Sequence, residues 1–413
     1  MKKLIIYFLL LISVNCFSQH SGLDLLGDKK EIELKFRFEN GLIILPIHYN
    51  NFLPLNFIFD TGAEHTILFR KELNDFMGIP YERRIGIRGA DLQDSMFALI
   101  TRNVPIIVNN NIRVSRDIIV LEEDRLNLEE RTGFQVDGIL GASFFKNLVI
   151  TINFKKKKIK LHNPNTFEHK KLKDYEKIPI IKVGNKPYLI SNTFSNGINK
   201  RQLLLLDSGS SLAFLLHYEA DSSIILPEKI ITGKLGVGLG GNLEGFIGRV
   251  DKLKLDKYSF DNVITHFQKI PQNNFDSTDI VRTGLIGTPI LSRFDICIDY
   301  LREDLYLKPN KDYNKEFKYD RSGLSLIAYG HNFNKFYVKE VRENSPAFEA
   351  GIQKGDLITR IGLWSSKWYS LEKITNKLKG NEGKTIKLTL DRNGKKMKVK
   401  FKLRDLFVKM IRK

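Results

Sequence analysis

The chain contains itself twice, and that constrains its fold more than any other feature. "FIFDTGAEHTILF" (57–69) and "LLLLDSGSSLAFLL" (203–216) share one grammar: an apolar strand, an Asp, a small hydroxyl residue, a Gly, then a second apolar run. Asp60 and Asp207 lie 147 positions apart (207 − 60). Downstream, Gly138–Gly141 (GILG) matches Gly284–Gly287 (GLIG) at an offset of 146. At that offset Ile152-Asn153-Phe154 meets Ile298-Asp299-Tyr300, and Ile159 and Leu161 meet Leu305 and Leu307. Matching positions in register over this span predict two copies of one structural unit.

The units read as strand. "LIILPIHYN", "NFIFD", "RVSRDIIVLE", "LVITINF" and "KIKLHN" are short, rich in Ile, Val and Phe, and separated by polar turns. One short helix is expected after each Gly-apolar-apolar-Gly element, with Thr288 as cap and Pro289 at its first position. The expected class is mainly β.

A lone ionised carboxylate in an apolar strand is costly, so Asp60 and Asp207 need partners or a purpose. If the two units face each other about a pseudo-two-fold axis, each Asp is the other's partner. Like charges about 3 Å apart cannot both ionise, so the pair would share one proton. The Gly of each turn permits close backbone approach. Thr61 and Ser208 offer hydroxyls that can bond across to the opposite turn.

Asp60-Thr61-Gly62-Ala63, Asp207-Ser208-Gly209-Ser210, Ile139-Leu140-Gly141 and Leu285-Ile286-Gly287 together resemble the aspartic peptidases, specifically single-chain retropepsin-like or pepsin-like bacterial members. The resemblance implies two pseudo-symmetric acid-protease β-barrel lobes, at residues 19–165 and 166–313. It implies an aspartic endopeptidase with Asp60 and Asp207 as catalytic dyad activating a water, supported by Thr61, Gly62, Ser208, Gly209, Gly141 and Gly287. The candidate flap hairpins are "GIRGADLQDS" and "GVGLGGNLEG", centred on Gly89 and Gly240; neither carries an aromatic at its tip. The rival expectation is a catalytically silent peptide-binding scaffold built on the same cleft.

From about residue 314 the style changes. Ser345-Pro346-Ala347, Ala350-Gly351 and Lys354-Gly355-Asp356-Leu357-Ile358 resemble a PDZ domain, a small α+β unit expected over 314–413. The resemblance places a carboxylate-binding loop at Gly323, Leu324, Ser325 and Leu326, where backbone N–H groups capture a peptide C-terminus and the peptide adds a strand. "LEKITNKLKG" reads as an amphipathic helix, and Asn393-Gly394 as a hairpin turn.

Lys2 and Lys3 precede an apolar run over Leu4–Val14, too short to span a bilayer and suited to a signal peptide over 1–18. The expectation is an exported protein, whether periplasmic, outer-surface or secreted, acting as a monomer with no stable transmembrane segment after cleavage. Cys297 in "FDICIDY" is then the remaining cysteine, so no internal disulfide framework exists, and it reads as a buried small residue. The net charge of +19 is spread along the chain without a nucleic-acid motif. No H-E-x-x-H spacing and no G-x-S-x-G elbow is present. Gly236–Gly241 fits G-x-G-x-x-G but is followed by strand-like alternation rather than a helix. The expected partners are peptide or protein substrates and a C-terminal peptide at the PDZ loop; no nucleic acid, metal or cofactor is expected.

Overall fold

The structure, a computed structural model, describes residues 22–88, 95–109, 112–124, 126–218, 224–238, 241–270 and 282–409. The expected signal segment 1–18 and the hairpin glycines Gly89 and Gly240 lie outside the described residues.

Strands dominate, as the alternating patterns require. In strand Glu31–Lys35, for example, Ile32 and Leu34 are buried while the glutamates and Lys35 between them are not. In the first half, strand Leu53–Phe59 runs parallel to Gly138–Leu140, with Phe57 opposite Gly138 and Phe59 opposite Leu140. Ile67–Leu68 lies antiparallel on the other side of that short strand and parallel to Ile112–Leu121. The second half repeats the arrangement. Strand Ile198–Asp207 is parallel to Gly284–Gly287, while Phe214–Tyr218 is antiparallel to it and parallel to Tyr258–Lys269. Gly138 is glycine because a Cβ there would lie 2.5 Å from the Phe57 ring.

The halves are related by a pseudo-two-fold axis that the register makes visible. Val149–Asn153 pairs antiparallel with its own repeat, Phe294–Asp299, with Ile150 opposite Ile298, Thr151 opposite Cys297 and Ile152 opposite Ile296. Since 151 + 146 = 297, the axis passes through the Thr151–Cys297 pair. This pairing extends one fourteen-stranded sheet from Glu31–Lys35 through the second half to Val408–Lys409, while an eight-stranded sheet belongs to the first half. A single core runs through both halves and includes Phe57, Phe59, Phe144, Phe214 and Phe294. Each such side chain contributes about 1.5–3 kcal/mol by leaving water, so the relative placement of the halves is fixed by packing. Cys297 is buried in this sheet.

Short helical turns follow both Gly-apolar-apolar-Gly strands, at Ala142–Phe145 and Thr288–Leu291. The expected cap at Thr288 is corrected: Gly287 is the cap and Thr288 is already helical. The Thr288 hydroxyl has other work, donating to backbone carbonyls of Gly41, in the other half, and Ser210.

The C-terminal unit has its own sheet and its own core around Phe336, Ile358 and Leu390. Helix Pro346–Glu349 begins after Ser345, whose hydroxyl accepts the Phe348 N–H at 3.3 Å. Helix Leu371–Leu378 buries Leu371, Ile374 and Leu378. The hairpin Thr385–Arg392/Lys395–Lys402 turns at Asn393 and Gly394, both at positive φ (53° and 85°), the geometry an Asn-Gly turn supplies. Among the described residues no helix is long and apolar enough to cross a membrane.

Candidate functional site

Asp60 and Asp207 each follow the last apolar residues of a parallel strand, where the chain turns at the following Gly. The Asp60 N–H donates to Leu140 O at 3.0 Å, tying the turn to the Gly-apolar-apolar-Gly strand. The two turns interlock. Thr61 Oγ1 donates to Leu206 O (2.6 Å) and accepts from Ser208 N (3.1 Å). Reciprocally, Ser208 Oγ donates to Phe59 O (2.9 Å) and accepts from Thr61 N (3.0 Å). All four bonds are buried and join one half to the other.

This places each carboxyl on the opposite glycine. A Cβ at Gly62 would lie 2.6 Å from Asp207 Cγ, and one at Gly209 would lie closer still to Asp60 Cγ. The two carboxyls are neighbours across the axis and act on each other's ionisation. Asp60 Oδ1 accepts from Gly62 N (2.7 Å) and Ala63 N (3.2 Å), and Asp207 Oδ1 from Gly209 N (2.9 Å).

Burial pushes both carboxyls up. For Asp60 the N–H donors of its turn and the Asp207 carboxyl work against that rise. Asp207 is held well above the ordinary range by burial and then by the neighbouring Asp60 charge, with Arg282 opposing. Two buried carboxyls this close share a proton and titrate as one unit.

Gly141 and Gly287 sit directly behind the turns. A Cβ at Gly141 would meet the backbone of His65, and one at Gly287 would lie 2.7 Å from Ser210 O. The residues after them bond to the loops: Ala142 N to Ala63 O (2.8 Å) and Thr288 N to Ser210 O (3.0 Å).

The interlock carries a prediction. Thr61→Val leaves Leu206 O and Ser208 N buried without partners, a loss of about 2–4 kcal/mol, while Thr61→Ser stays close to wild type. Denaturant titration checks this; a Thr61→Val protein of undiminished stability would contradict it.

Above the pair lies a cavity of 1080 Å³. Its walls are apolar on both sides and related by the repeat, Ile58 and Ile139 facing Leu205 and Leu285. Its third side is the C-terminal unit, through Leu324, Ser325, Leu326 and Lys379. Only Gly323 of the expected carboxylate loop is loop, at φ +81°; Leu324, Ser325 and Leu326 already belong to strand Leu324–Tyr329, pairing with Val341, Glu340 and Val338. The strand starts early because Asp320 accepts from Ser322 N and Gly323 N and completes the turn before it.

Sequence reading missed three groups here. His217 is buried, and neither ring nitrogen has a hydrogen-bond partner; burial and the nearby Arg282 hold its pKa well below the imidazole range. Its signal was a break in the repeat: strand pairing makes it the counterpart of Phe69, a polar residue in an otherwise matching apolar run. Lys379, whose pKa burial lowers, lines the cavity near Asp320. Lysine at the end of an amphipathic helix gives no such warning. Arg282 lies close enough to Asp207 and His217 to act on both. Among the described residues no three His, Cys, Asp or Glu side chains form a metal-holding group.

The C-terminal unit is docked rather than tethered. Asn40 N donates to Glu372 Oε1 at 3.3 Å, Arg342 donates to Thr232 O, and Val408 and Lys409 pair with Ile230 and Lys229.

Comparison with known proteins identifies the C-terminal unit: a family described as PDZ domain matches residues 310–403. Curated relatives are named "Probable CtpA-like serine protease". That of Staphylococcus saprophyticus is 27% identical over 135 residues, 33% of this chain and 26% of the relative. That of Staphylococcus haemolyticus is 30% identical over 105 residues, 24% of this chain and 21% of the relative. That of Staphylococcus aureus is 24% identical over 190 residues, 45% and 36%. The chain thus spans between about a fifth and just over a third of the length of these relatives.

These relatives correct the reading of the motifs. They are named serine proteases, so the assignment as a retropepsin-like aspartic peptidase, and with it the water-activating Asp60/Asp207 mechanism, is withdrawn. The physical reason is that two Asp-hydroxyl-Gly turns on a two-fold axis produce a proton-sharing pair by packing alone, whatever chemistry follows. A PDZ domain and similarity to proteases over part of the chain stand.

Proposed function

We propose that this protein is a peptidase whose substrate lies in the cleft between the halves, with the PDZ domain holding the substrate chain. The observation that carries the reading is the shared cavity: one space is walled by Ile58 and Leu205, floored by Asp60 and Asp207, and closed by the PDZ residues Leu324 to Leu326. A peptide captured by the PDZ strand is thereby delivered to the cleft. The protease relatives support the reaction class, and the duplicated strand topology supports two acid-protease-type lobes at 19–165 and 166–313 as the scaffold. A fold does not by itself assign a mechanism. We take Asp60 and Asp207, with Thr61, Gly62, Ser208, Gly209, Gly141 and Gly287 holding them, as the site, and the apolar segment near the N-terminus as the mark of an exported protein.

Of the serines at or behind this floor, two are engaged, while Ser211 lines the cavity exposed. Ser208 Oγ spans the two halves, and Ser210 Oγ accepts from Leu212 N at 3.2 Å. A serine-directed phosphonate probe, with the labelled residue located by mass spectrometry, reads whether catalysis follows the chemistry of the relatives.

The deciding experiment is incubation with a peptide library followed by mass spectrometry of new termini. New termini are expected, and they should diminish when Lys379→Ala weakens capture at the PDZ loop. Peptides that bind and are recovered whole would overturn the peptidase reading in favour of a binding protein.

A further inference from the structure

The PDZ sheet presents a face that folding does not explain. Strand Lys395–Lys402 alternates cleanly: Met397, Val399 and Phe401 turn to the core side opposite Leu390, Leu388 and Ile386. The other face carries Lys396, Lys398, Lys400 and Lys402, all exposed. Across from them lie Asp391, Thr389, Lys387 and Thr385, and Arg360 on the next strand is opposite Thr389. Six cations thus share one face with a single carboxylate in these registers, Asp391, whose Oδ1 accepts from Gly394 N. Lys387 and Lys400 are directly opposite, a like-charge pairing that destabilises a sheet. Among the described residues none of the six forms an ion pair.

At the Lys387 end of that face the chain projects an apolar tip. Gly362 N donates to Lys387 O at 2.8 Å, and the chain turns there so that Ile361 pairs with Trp364. Leu363, Trp364 and Trp368 are 89%, 67% and 79% exposed, with exposed Lys367 between the tryptophans. The tip takes no part in lining the cleft cavity. Three exposed large apolar side chains within six residues of one turn, at the edge of a cationic strand pair, fit a partner that is apolar inside and anionic at its surface. Tryptophan ring systems favour the boundary between lipid headgroups and hydrocarbon.

We propose that this edge of the PDZ domain docks on an anionic lipid surface, the turn carrying Leu363, Trp364 and Trp368 entering at headgroup depth and the neighbouring lysines lying near the phosphates. The surface is separate from the peptide cleft, and the proposal does not depend on the peptidase reading. A nucleic acid would match the lysines but gives Leu363 nothing to bury against, and a second copy of this chain, at +19, brings like charge to the contact.

The chain has two tryptophans, both in this tip, so intrinsic fluorescence reports on it alone. The full chain is mixed with vesicles of phosphatidylcholine, or of equimolar phosphatidylcholine and phosphatidylglycerol, with and without brominated acyl chains. With the anionic vesicles the emission should shift to the blue, be quenched by bromine, and revert with added salt. Lys398→Glu/Lys400→Glu should weaken the response on the order of 30-fold. Leu363→Ser/Trp368→Ser, which keeps Trp364 as reporter, should abolish the quenching. Circular dichroism of each variant confirms the fold. No shift with anionic vesicles would overturn the proposal. So would a response equal in both vesicle types, vesicle binding that survives both variants, or a shift elicited by duplex DNA or by raising the protein concentration.

Discussion

Asp207→Asn is expected to be more stable than the unsubstituted protein at about pH 8 and level with it near pH 4. The sign follows from burial. Asp207 is held well above the ordinary carboxylate range by burial and by Asp60 beside it, so the folded state keeps a proton that the unfolded chain has released. That retention stabilises fully below the unfolded value, about 3.9, and is lost as pH rises towards the folded value. Across that window the unsubstituted protein loses about 1.4 kcal/mol per pH unit from this group. Asn mimics the protonated side chain at every pH, so the variant's profile loses that slope. Asp60→Asn adds a second effect, since burial raises that carboxyl too. Asp60 Oδ1 accepts from two N–H groups of its own turn, and the carboxylate is the better acceptor. Replacing it should cost about 1–3 kcal/mol at neutral pH. Thermal melts across pH decide the matter; an Asp207→Asn variant that loses stability with rising pH as steeply as the unsubstituted protein would contradict the raised Asp207 carboxyl.

Gly209→Ala is expected to be strongly destabilising through a single added methyl. The added Cβ would fall onto the Asp60 carboxyl, which is pinned by the N–H groups of Gly62 and Ala63 and cannot rotate away without releasing them. Relief requires the two turns to part, which breaks the Thr61–Ser208 bonds between the halves. Overpacking of this kind costs about 1–3 kcal/mol before those bonds are counted. Gly86→Ala is the control, since a Cβ there meets nothing within 4 Å and the backbone is ordinary. Equal denaturation midpoints for the two variants would contradict the close approach of Asp60 to Gly209.

Much of this was legible in the sequence because an internal repeat is a statement about space as well as ancestry. The offset of 146 between Thr151 and Cys297 is the same relation that the strand pairing shows as a two-fold axis. Hydrophobic alternation placed the strands, and Ser345, Pro346 and Asn393-Gly394 placed the C-terminal helix and hairpin, because each acts through its nearest neighbours. Three-dimensional neighbours were another matter. Nothing local in the helix 371–378 says that its unit closes the cleft, or that Asn40 reaches Glu372. Thr288 read as a cap because it precedes a proline, whereas its hydroxyl bonds to Gly41 O, 247 positions away. The chemistry was the least legible. The motifs specify where two carboxyls meet, and the relatives named serine proteases show that this placement is no warrant for an aspartic mechanism.

The most direct test is a carbon NMR titration of protein labelled at the aspartate carboxyl carbons, with Asp60→Asn and Asp207→Asn supplying the assignments. The account predicts that the pair titrates as one unit, with Asp207 keeping its proton above the ordinary carboxylate range and each signal moving when the other residue is replaced. Two carboxyls that both ionise independently in the ordinary range, neither responding to replacement of the other, would contradict it.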